Sequence, residues 1–178
     1  RFSPDIDGFS ILTPSLDWAL GTGLALKKKC ETITVFGNVH AILNPEIIEY
    51  PGVDILCTVE GELPLLKLAE CIDGEQDWTN IDSFVVKKNE EVITNPNPIE
   101  MLDLNDLPFQ DRALYDKYAF FRHSNYLKFM NGRGCPFRCT FCTNPVLLSH
   151  YGPKAYIRKF SPERAISELA YLVEQRKP

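Results

Sequence analysis

No stretch of this sequence reaches the roughly 20 consecutive apolar residues of a membrane-spanning helix, and no signal-peptide pattern opens it. The expectation is therefore a cytoplasmic protein with no membrane partner. Positive charge is also scarce: 19 Lys and Arg against 24 Asp and Glu leave a net charge of −5. That balance argues against nucleic acid or an anionic membrane surface as a partner. There is no internal repeat. There is no initiating Met either, since Arg1 stands first, which is expected of a piece of a longer protein. What remains is an ordinary globular composition, 44% hydrophobic and 24% charged over 178 residues, enough for one large domain or two small ones.

The first 75 residues alternate in type. DGFSILT (7–13), TITVF (32–36) and VDILCTV (53–59) read as buried strands. Between them, Leu16, Ala19, Leu20, Gly23 and Leu24 make a helix face with Lys27 to Lys29 at its C-terminal end, and 45–50 is a shorter helix. Leu65, Leu68, Ala69 and Ile72 form a further face, stopped at Gly74. Alternation at this spacing predicts an α/β domain over 1–75, a Rossmann- or flavodoxin-like parallel sheet whose three strands lie side by side in chain order. Residues 76–125 read as a linker with a β-hairpin, 84–86 pairing with 92–94, followed by the proline-rich NPNPIEMLDLNDLPF that no helix tolerates. Residues 126–178 read as the first βα unit of another α/β domain: a strand at 126–130, then a helix capped by Ser161, begun by Pro162 and burying Ile166, Leu169, Ala170 and Val173.

Half of the six cysteines fall within NGRGCPFRCTFC (131–142), directly after the predicted strand. Three close thiols could form a disulfide with one left over, a zinc site short of a ligand, or an incomplete cage for an iron–sulfur cluster. A closed structural metal site wants four ligands, and three leave one position open. His150, eight positions after Cys142, is a distant candidate for a fourth zinc ligand. Cys30, Cys57 and Cys71 are scattered and read as reduced core thiols of a cytosolic protein. Gly132 and Gly134 let the backbone turn into the loop, and Arg133 and Arg138 read as structural or solvated.

Cys135-x3-Cys139-x2-Cys142, with Phe141 before the last cysteine, resembles the signature of the radical S-adenosylmethionine (SAM) superfamily. The resemblance implies that the three thiolates bind three irons of a [4Fe–4S] cluster and leave the fourth for SAM. It implies reductive cleavage of SAM to a 5′-deoxyadenosyl radical, with Phe141 near the adenine. The cofactors carry the hard step, while the protein orients them and excludes water.

The first domain adds a second likeness. Ser10-Ile11-Leu12 and Gly37-Asn38 stand at successive strand ends and resemble the S-x-L and G-G elements of the cobalamin-binding domain. PDIDGFSILTPSLDWAL, VFGNVHAILNPE and PGVDILCTVEGE look like the cobalamin-binding radical SAM family from about Pro4 through the cysteine loop. The likeness implies that the dimethylbenzimidazole tail of cobalamin meets Ser10, Leu12, Gly37 and Asn38, with Glu60 and Gly61 within reach of the nucleotide loop. Two departures stand out: Asn38 replaces the second glycine, and the D-x-H-x-x-G loop whose histidine ligates cobalt in some relatives is absent. His40 falls in the loop beyond Gly37, where it would contact the tail or cap the next helix. His123 and His150 carry no readable role.

The implied function is a cobalamin-dependent radical SAM enzyme, with methyl transfer to an unactivated carbon or phosphorus as the leading reaction. It would act on a small-molecule or peptide substrate and take electrons from a donor such as flavodoxin or ferredoxin. The alternatives are a radical SAM enzyme that no longer binds cobalamin and a non-catalytic cobalamin- or metal-binding module. One βα unit is far short of the roughly six that a radical SAM (β/α) barrel needs. The chain is thus expected to be only the start of such a barrel, and the sequence does not identify the substrate.

Overall fold

Three short strands with buried aromatic and aliphatic residues build the centre of the first unit. The computed structural model describes residues 3–98, 101–115, 117–122, 126 and 128–175. The chain parts into two units, Arg1–Ile99 and Glu100–Pro178. In the first, β1 (Ile6–Ser10), β2 (Ile33–Gly37) and β3 (Ile55–Cys57) run parallel and adjacent in chain order. α1 (Leu16–Lys27) links β1 to β2, and α2 (Val39–Leu43) with a 3-10 turn at Pro45–Glu49 links β2 to β3. After β3 comes α3 (Glu62–Asp73), which ends at Gly74.

The sheet does not stop at β3. β4 (Phe84–Lys88) pairs antiparallel with β3, and β5 (Glu91–Thr94) closes the row, so the predicted hairpin continues the sheet instead of standing in a linker. Its two-residue turn has Asn89 at φ 52° and Glu90 at φ 64°, both left-handed, as the tight hairpin turns that match strand twist require. Alternation then gives the sheet two buried faces. Phe9, Phe36, Leu56 and Val85 pack with Ala19 of α1 on one, where the Phe9 and Phe36 rings stack 4.6 Å apart. Val35, Ile55, Cys57 and Val86 pack with Leu68 of α3 on the other. α1 approaches closely at Gly23, where an added Cβ would stand 2.7 Å from the Gly52 carbonyl oxygen.

Two expectations for this unit need correction. The first strand ends at Ser10, because Ser15 folds back on Leu12: its Oγ accepts from Leu12 N at 3.1 Å and donates to Leu12 O at 2.9 Å. Leu12 therefore lies beyond the strand, and 53–59 likewise shrinks to three residues. Of the three cysteines read as core thiols, Cys57 is buried while Cys30 and Cys71 are half-buried.

In the second unit the strand falls later than predicted. Residues 126 and 128–130 are not strand, Leu127 lies outside the described residues, and the pairing occurs between β6 (Gly132–Arg133) and β7 (Arg158–Lys159), antiparallel. A strand exists only where a neighbour takes its hydrogen bonds. The neighbour here meets 131–133, with Phe160 N donating to Asn131 O at 2.9 Å. α4 (Ala119–Arg122) precedes this pair; α5 (Asn144–Tyr151) and α6 (Pro153–Tyr156) fill the span between its strands. His123 lies outside the described residues.

α7 (Pro162–Glu174) begins as read, with Pro162 in its first turn and Ser161 Oγ accepting from Arg164 N at 3.1 Å. Its buried side is not the one read from periodicity. Ile166 is 67% and Val173 55% exposed, Leu169 and Ala170 are exposed too, and Glu168 and Leu172 are buried. The end of the proline-rich segment decides this. Arg164 donates to Leu107 O at 2.9 Å, lies 4.1 Å over the Phe109 ring and pairs with Glu168 at 2.8 Å, so the 102–109 stretch covers the Arg164–Glu168 face. Among the described residues no helix is long and apolar enough to cross a membrane.

Asp54, at the foot of β3, ties the first unit together. Its Oδ2 accepts from Thr34 N at 2.9 Å, lies 3.0 Å from the Thr34 hydroxyl and pairs with Lys27 Nζ at 2.8 Å. Asp54→Ala leaves the buried Thr34 amide without that acceptor, and urea unfolding of the first unit's signal should show a loss of about 1–3 kcal/mol. Lys27→Met, which removes a partly exposed partner, should cost about 1 kcal/mol or less. Equal losses in the two variants would mean that the ion pair and not the backbone contact carries the stability.

Candidate functional site

Parallel pairing fixes where the first set of candidate residues meets. The β1–β2 register sets Ser10 opposite Gly37, at the C-terminal ends where open α/β sheets bind ligands. Ile11 N donates to Gly37 O at 3.0 Å and His40 N to Ile11 O at 3.4 Å, so the two strand ends are pinned by backbone. Asn38 follows with φ 75° and ψ 179°, a conformation that side chains rarely adopt. Its own side chain bridges the shelf: Oδ1 accepts from Val39 N at 2.6 Å and Nδ2 donates to Ser10 Oγ at 3.0 Å. The Val39 contact fixes which amide atom faces Ser10.

Ser10 and Asn38 are exposed, Gly37 is half-buried, and a Cβ at Gly37 would meet nothing closer than Cys57 Cβ at 3.7 Å. Leu12 is 50% exposed on the turn beyond. Glu60 and Gly61 are half-buried past β3, with Gly61 at the N-terminus of α3. Ser10 also lines a groove of about 390 Å³ along β1 and α1, walled by Phe9, Ile11 and Trp18. His40, expected in a loop, is in α2, and its Nδ1 lies 3.0 Å from Thr13 Oγ1. That contact occupies a ring nitrogen within the protein.

The second set occupies the loop after β6. Gly134 turns it at φ 79°, a left-handed conformation, and an added Cβ there would fall on the Tyr156 carbonyl. Cys142 N donates to Cys139 O at 3.1 Å, closing the turn that carries the last two cysteines, and α5 starts at once behind Thr143. Cys135 and Cys142 are half-buried and Cys139 is exposed; all three are free thiols. Among the described residues no three His, Cys, Asp or Glu side chains converge closely enough to hold a metal ion, so the thiols share a loop without meeting at a point. The donor set nonetheless suits an iron–sulfur cluster: three unbridged thiols whose last sulfur already accepts N–H groups. Asn144 approaches Cys142 Sγ twice, through its backbone N at 3.5 Å and its side-chain Nδ2 at 3.2 Å. Phe141 is 92% exposed.

Known proteins share both halves. No family model matches the chain. An uncharacterised methyltransferase of Pyrococcus horikoshii is 30% identical over 97% of this chain and 37% of its own length. The anaerobic magnesium-protoporphyrin IX monomethyl ester cyclase of Rubrivivax gelatinosus is 28% identical over 97% of this chain and 32% of its own. The chain thus spans about a third of the length of these curated relatives. Among solved structures, the radical SAM methyltransferase TsrM of Kitasatospora setae, with cobalamin and a [4Fe–4S] cluster bound, superposes with a TM-score of 0.69 at 15% identity, covering 98% of this chain and 36% of that one. The cobalamin-dependent SAM radical enzyme OxsB, with aqua-cobalamin and SAM bound, gives 0.67 at 23% identity, covering 96% and 23%. The chain has the fold seen in these two cobalamin- and SAM-dependent radical enzymes, and its sequence is similar to that of the curated methyltransferase and cyclase over nearly its whole length.

Two residues in the site escaped the sequence reading, Asn144 and Tyr156. Their signal is faint: an Asn two places after the last cysteine, followed by Pro145, also reads as an ordinary helix start. The Tyr156 hydroxyl meets Asn144 Oδ1 from twelve residues away, which no spacing announces.

Burial pushes the Cys57 thiol up to about 11, against the lesser effect of the Val59 carbonyl. It should therefore stay protonated and unreactive at pH 8. Oxygen-free, metal-free protein treated with iodoacetamide at that pH should be modified first at Cys139 and at Cys57 only once unfolded. Peptide mass spectrometry would read the order, and early labelling of Cys57 would contradict the buried environment.

Proposed function

We propose that this chain carries the cobalamin shelf and the cluster loop of a cobalamin-dependent radical SAM enzyme, and that the enzyme transfers a methyl group to an unactivated carbon or phosphorus. The observation that carries this reading is the presence in one chain of Ser10, Gly37 and Asn38 at adjoining strand ends and of three free thiols in C-x3-C-x2-C. When bound, the [4Fe–4S] cluster with SAM supplies a 5′-deoxyadenosyl radical and cobalamin supplies a transferable methyl group.

The residues have distinct tasks in this reading. Cys135, Cys139 and Cys142 hold the cluster as thiolates, Gly134 sets the turn that presents them, and the exposed Phe141 offers a ring face to the adenine of SAM. On the shelf, Asn38 Nδ2 donates to Ser10 Oγ, which leaves the hydroxyl proton of Ser10 to donate to a ring nitrogen of the tail. A buried acceptor left unsatisfied there would cost about 1–3 kcal/mol. Leu12 supplies an apolar wall and Gly37 the space beside it; Glu60 and Gly61 stand where the third strand ends. The substrate in this reading is a small molecule or peptide, and the electron comes from a donor such as flavodoxin or ferredoxin.

A second reading, a radical SAM enzyme without cobalamin, is favoured by one observation: the Asn38 side chain spans the shelf where the family pattern has a glycine. Absorbance separates the two, because a corrinoid gives resolved visible bands and a cluster gives a broad one toward the violet.

Anaerobic reconstitution of the full-length protein with iron and sulfide should give about four irons per chain, as a [4Fe–4S] site requires. Cys139→Ala should lose them. A Cys139→Ala protein that retains the full iron content would overturn the cluster assignment.

Titration of the full-length protein with hydroxocobalamin tests the shelf separately. Gly37→Leu should abolish binding and Ser10→Ala should weaken it modestly. Equal affinity of Gly37→Leu and the parent would remove the tail from this position.

A further inference from the structure

Asn144 and Tyr156 belong to no task assigned above, yet they close on the cysteine loop from both sides. Tyr156 ends α6, and its backbone carbonyl lies where a side chain on Gly134 would go, against the first turn of the loop. Its hydroxyl reaches Asn144 Oδ1, behind the last cysteine. The ring is braced in turn by Tyr151, stacked on it at 6.0 Å and 12°. One tyrosine thus touches the loop where it begins and where it ends.

The contact orients Asn144. With the amide nitrogen turned to Cys142 Sγ at 3.2 Å, the amide oxygen faces the Tyr156 hydroxyl, which donates to it. The opposite orientation would set an oxygen lone pair against the sulfur, which is repulsive once the sulfur is a thiolate. With the Asn144 backbone N–H also within 3.5 Å, one residue directs two donors at one sulfur. Asn144, Cys142 and Tyr156 are all half-buried, where such contacts are less weakened by water.

We propose that Asn144, held in orientation by Tyr156, tunes the reduction potential of the iron–sulfur cluster by donating its side-chain N–H to Cys142 Sγ. The proposal rests on the reading of Cys142 as a cluster ligand. Reduction of a cluster adds one electron and no proton, so negative charge grows on the ligating sulfurs. An N–H aimed at such a sulfur stabilises the reduced state more than the oxidised one and raises the potential, which hydrogen bonds to the sulfurs are known to set. Asn144 is then a positioning and tuning residue that touches neither SAM nor substrate. Tyr156 acts one step further out, by denying the amide its other orientation.

The test uses the full-length protein, reconstituted without oxygen, with iron content and the midpoint potential by EPR-monitored titration as readouts. Asn144→Leu should keep its iron and become harder to reduce by about tenfold in the equilibrium, about 59 mV for one electron. Asn144→Asp should fall further, since a carboxylate cannot donate and adds negative charge. Tyr156→Phe should shift in the same direction by less, because the amide remains but loses its brace. If the parent takes up no cluster, the ligand reading fails and the inference with it. If the parent and Asn144→Leu hold equal iron at equal potential, the inference alone is overturned. Should Asn144→Leu lose iron, Tyr156→Phe decides: a lowered potential supports the relay, and an unchanged one overturns it.

Discussion

The carboxylate of Asp54 stands at the foot of β3, and what it holds there governs what can happen at the other end of the sheet. Its side chain takes the Thr34 amide of β2 and the Lys27 ammonium of α1, and its backbone carbonyl accepts from Lys87 N of β4 at 2.7 Å. Four elements are thereby fixed in height against one another. β1 is tied at its own foot, where Ile33 N donates to Asp5 O at 2.9 Å, and because β1, β2 and β3 run parallel these lower ties together set how far each upper end projects. The pairing of Ser10 with Gly37 is the result at the top of a register set partly at the bottom.

The second unit reaches a similar end by other means. Among its described residues the strand pairing is a two-residue ladder, so its loop is shaped by a left-handed glycine, a turn between Cys139 and Cys142, and the side chain of one tyrosine. The Arg164–Glu168 pair, with the Phe109 and Phe160 rings against Arg164, gives α7 its seat through polar and ring contacts more than through aliphatic packing. A buried ion pair is costly to place and costly to break. It therefore fixes the position of α7 more than it adds stability.

Much of this was legible in the residues, and the divisions between what was and was not are physical. The strand-like runs 32–36 and 53–59 and the helix faces at 16–24 and 65–72 depend on burial along one element, and each element appears in its place, the third strand shortened to Ile55–Cys57. The ends of elements depend on partners. Ser15 hydrogen-bonding back to Leu12 shortens β1, and the availability of 158–160 moves the later strand from 126–130 to 132–133. The exposed side of α7 failed for the same reason: periodicity names an apolar stripe without saying what will lie against it. On the shelf, S-x-L and the glycine at a strand end marked Ser10 and Gly37, but nothing in the sequence announced that Asn38 would bond to Ser10. Cysteine spacing marked the loop, while the tie from Tyr156 to Asn144 depends on a fold-back that no motif records.

Asn38 has one more consequence. Its backbone lies in a region where glycine is at ease and other residues store about 1–3 kcal/mol. Glycine would reach the same shape freely, but it would be flexible and silent there. Asparagine is held in it by two bonds from its own side chain, to Val39 and to Ser10. The position is therefore narrow in the side chains it can hold without strain. A change to glycine relaxes the backbone and loosens the hydroxyl beside it, whereas a branched residue would carry the full strain with neither bond to offset it. At this strand end a strained backbone and a fixed, pre-aimed hydroxyl therefore come together through one residue.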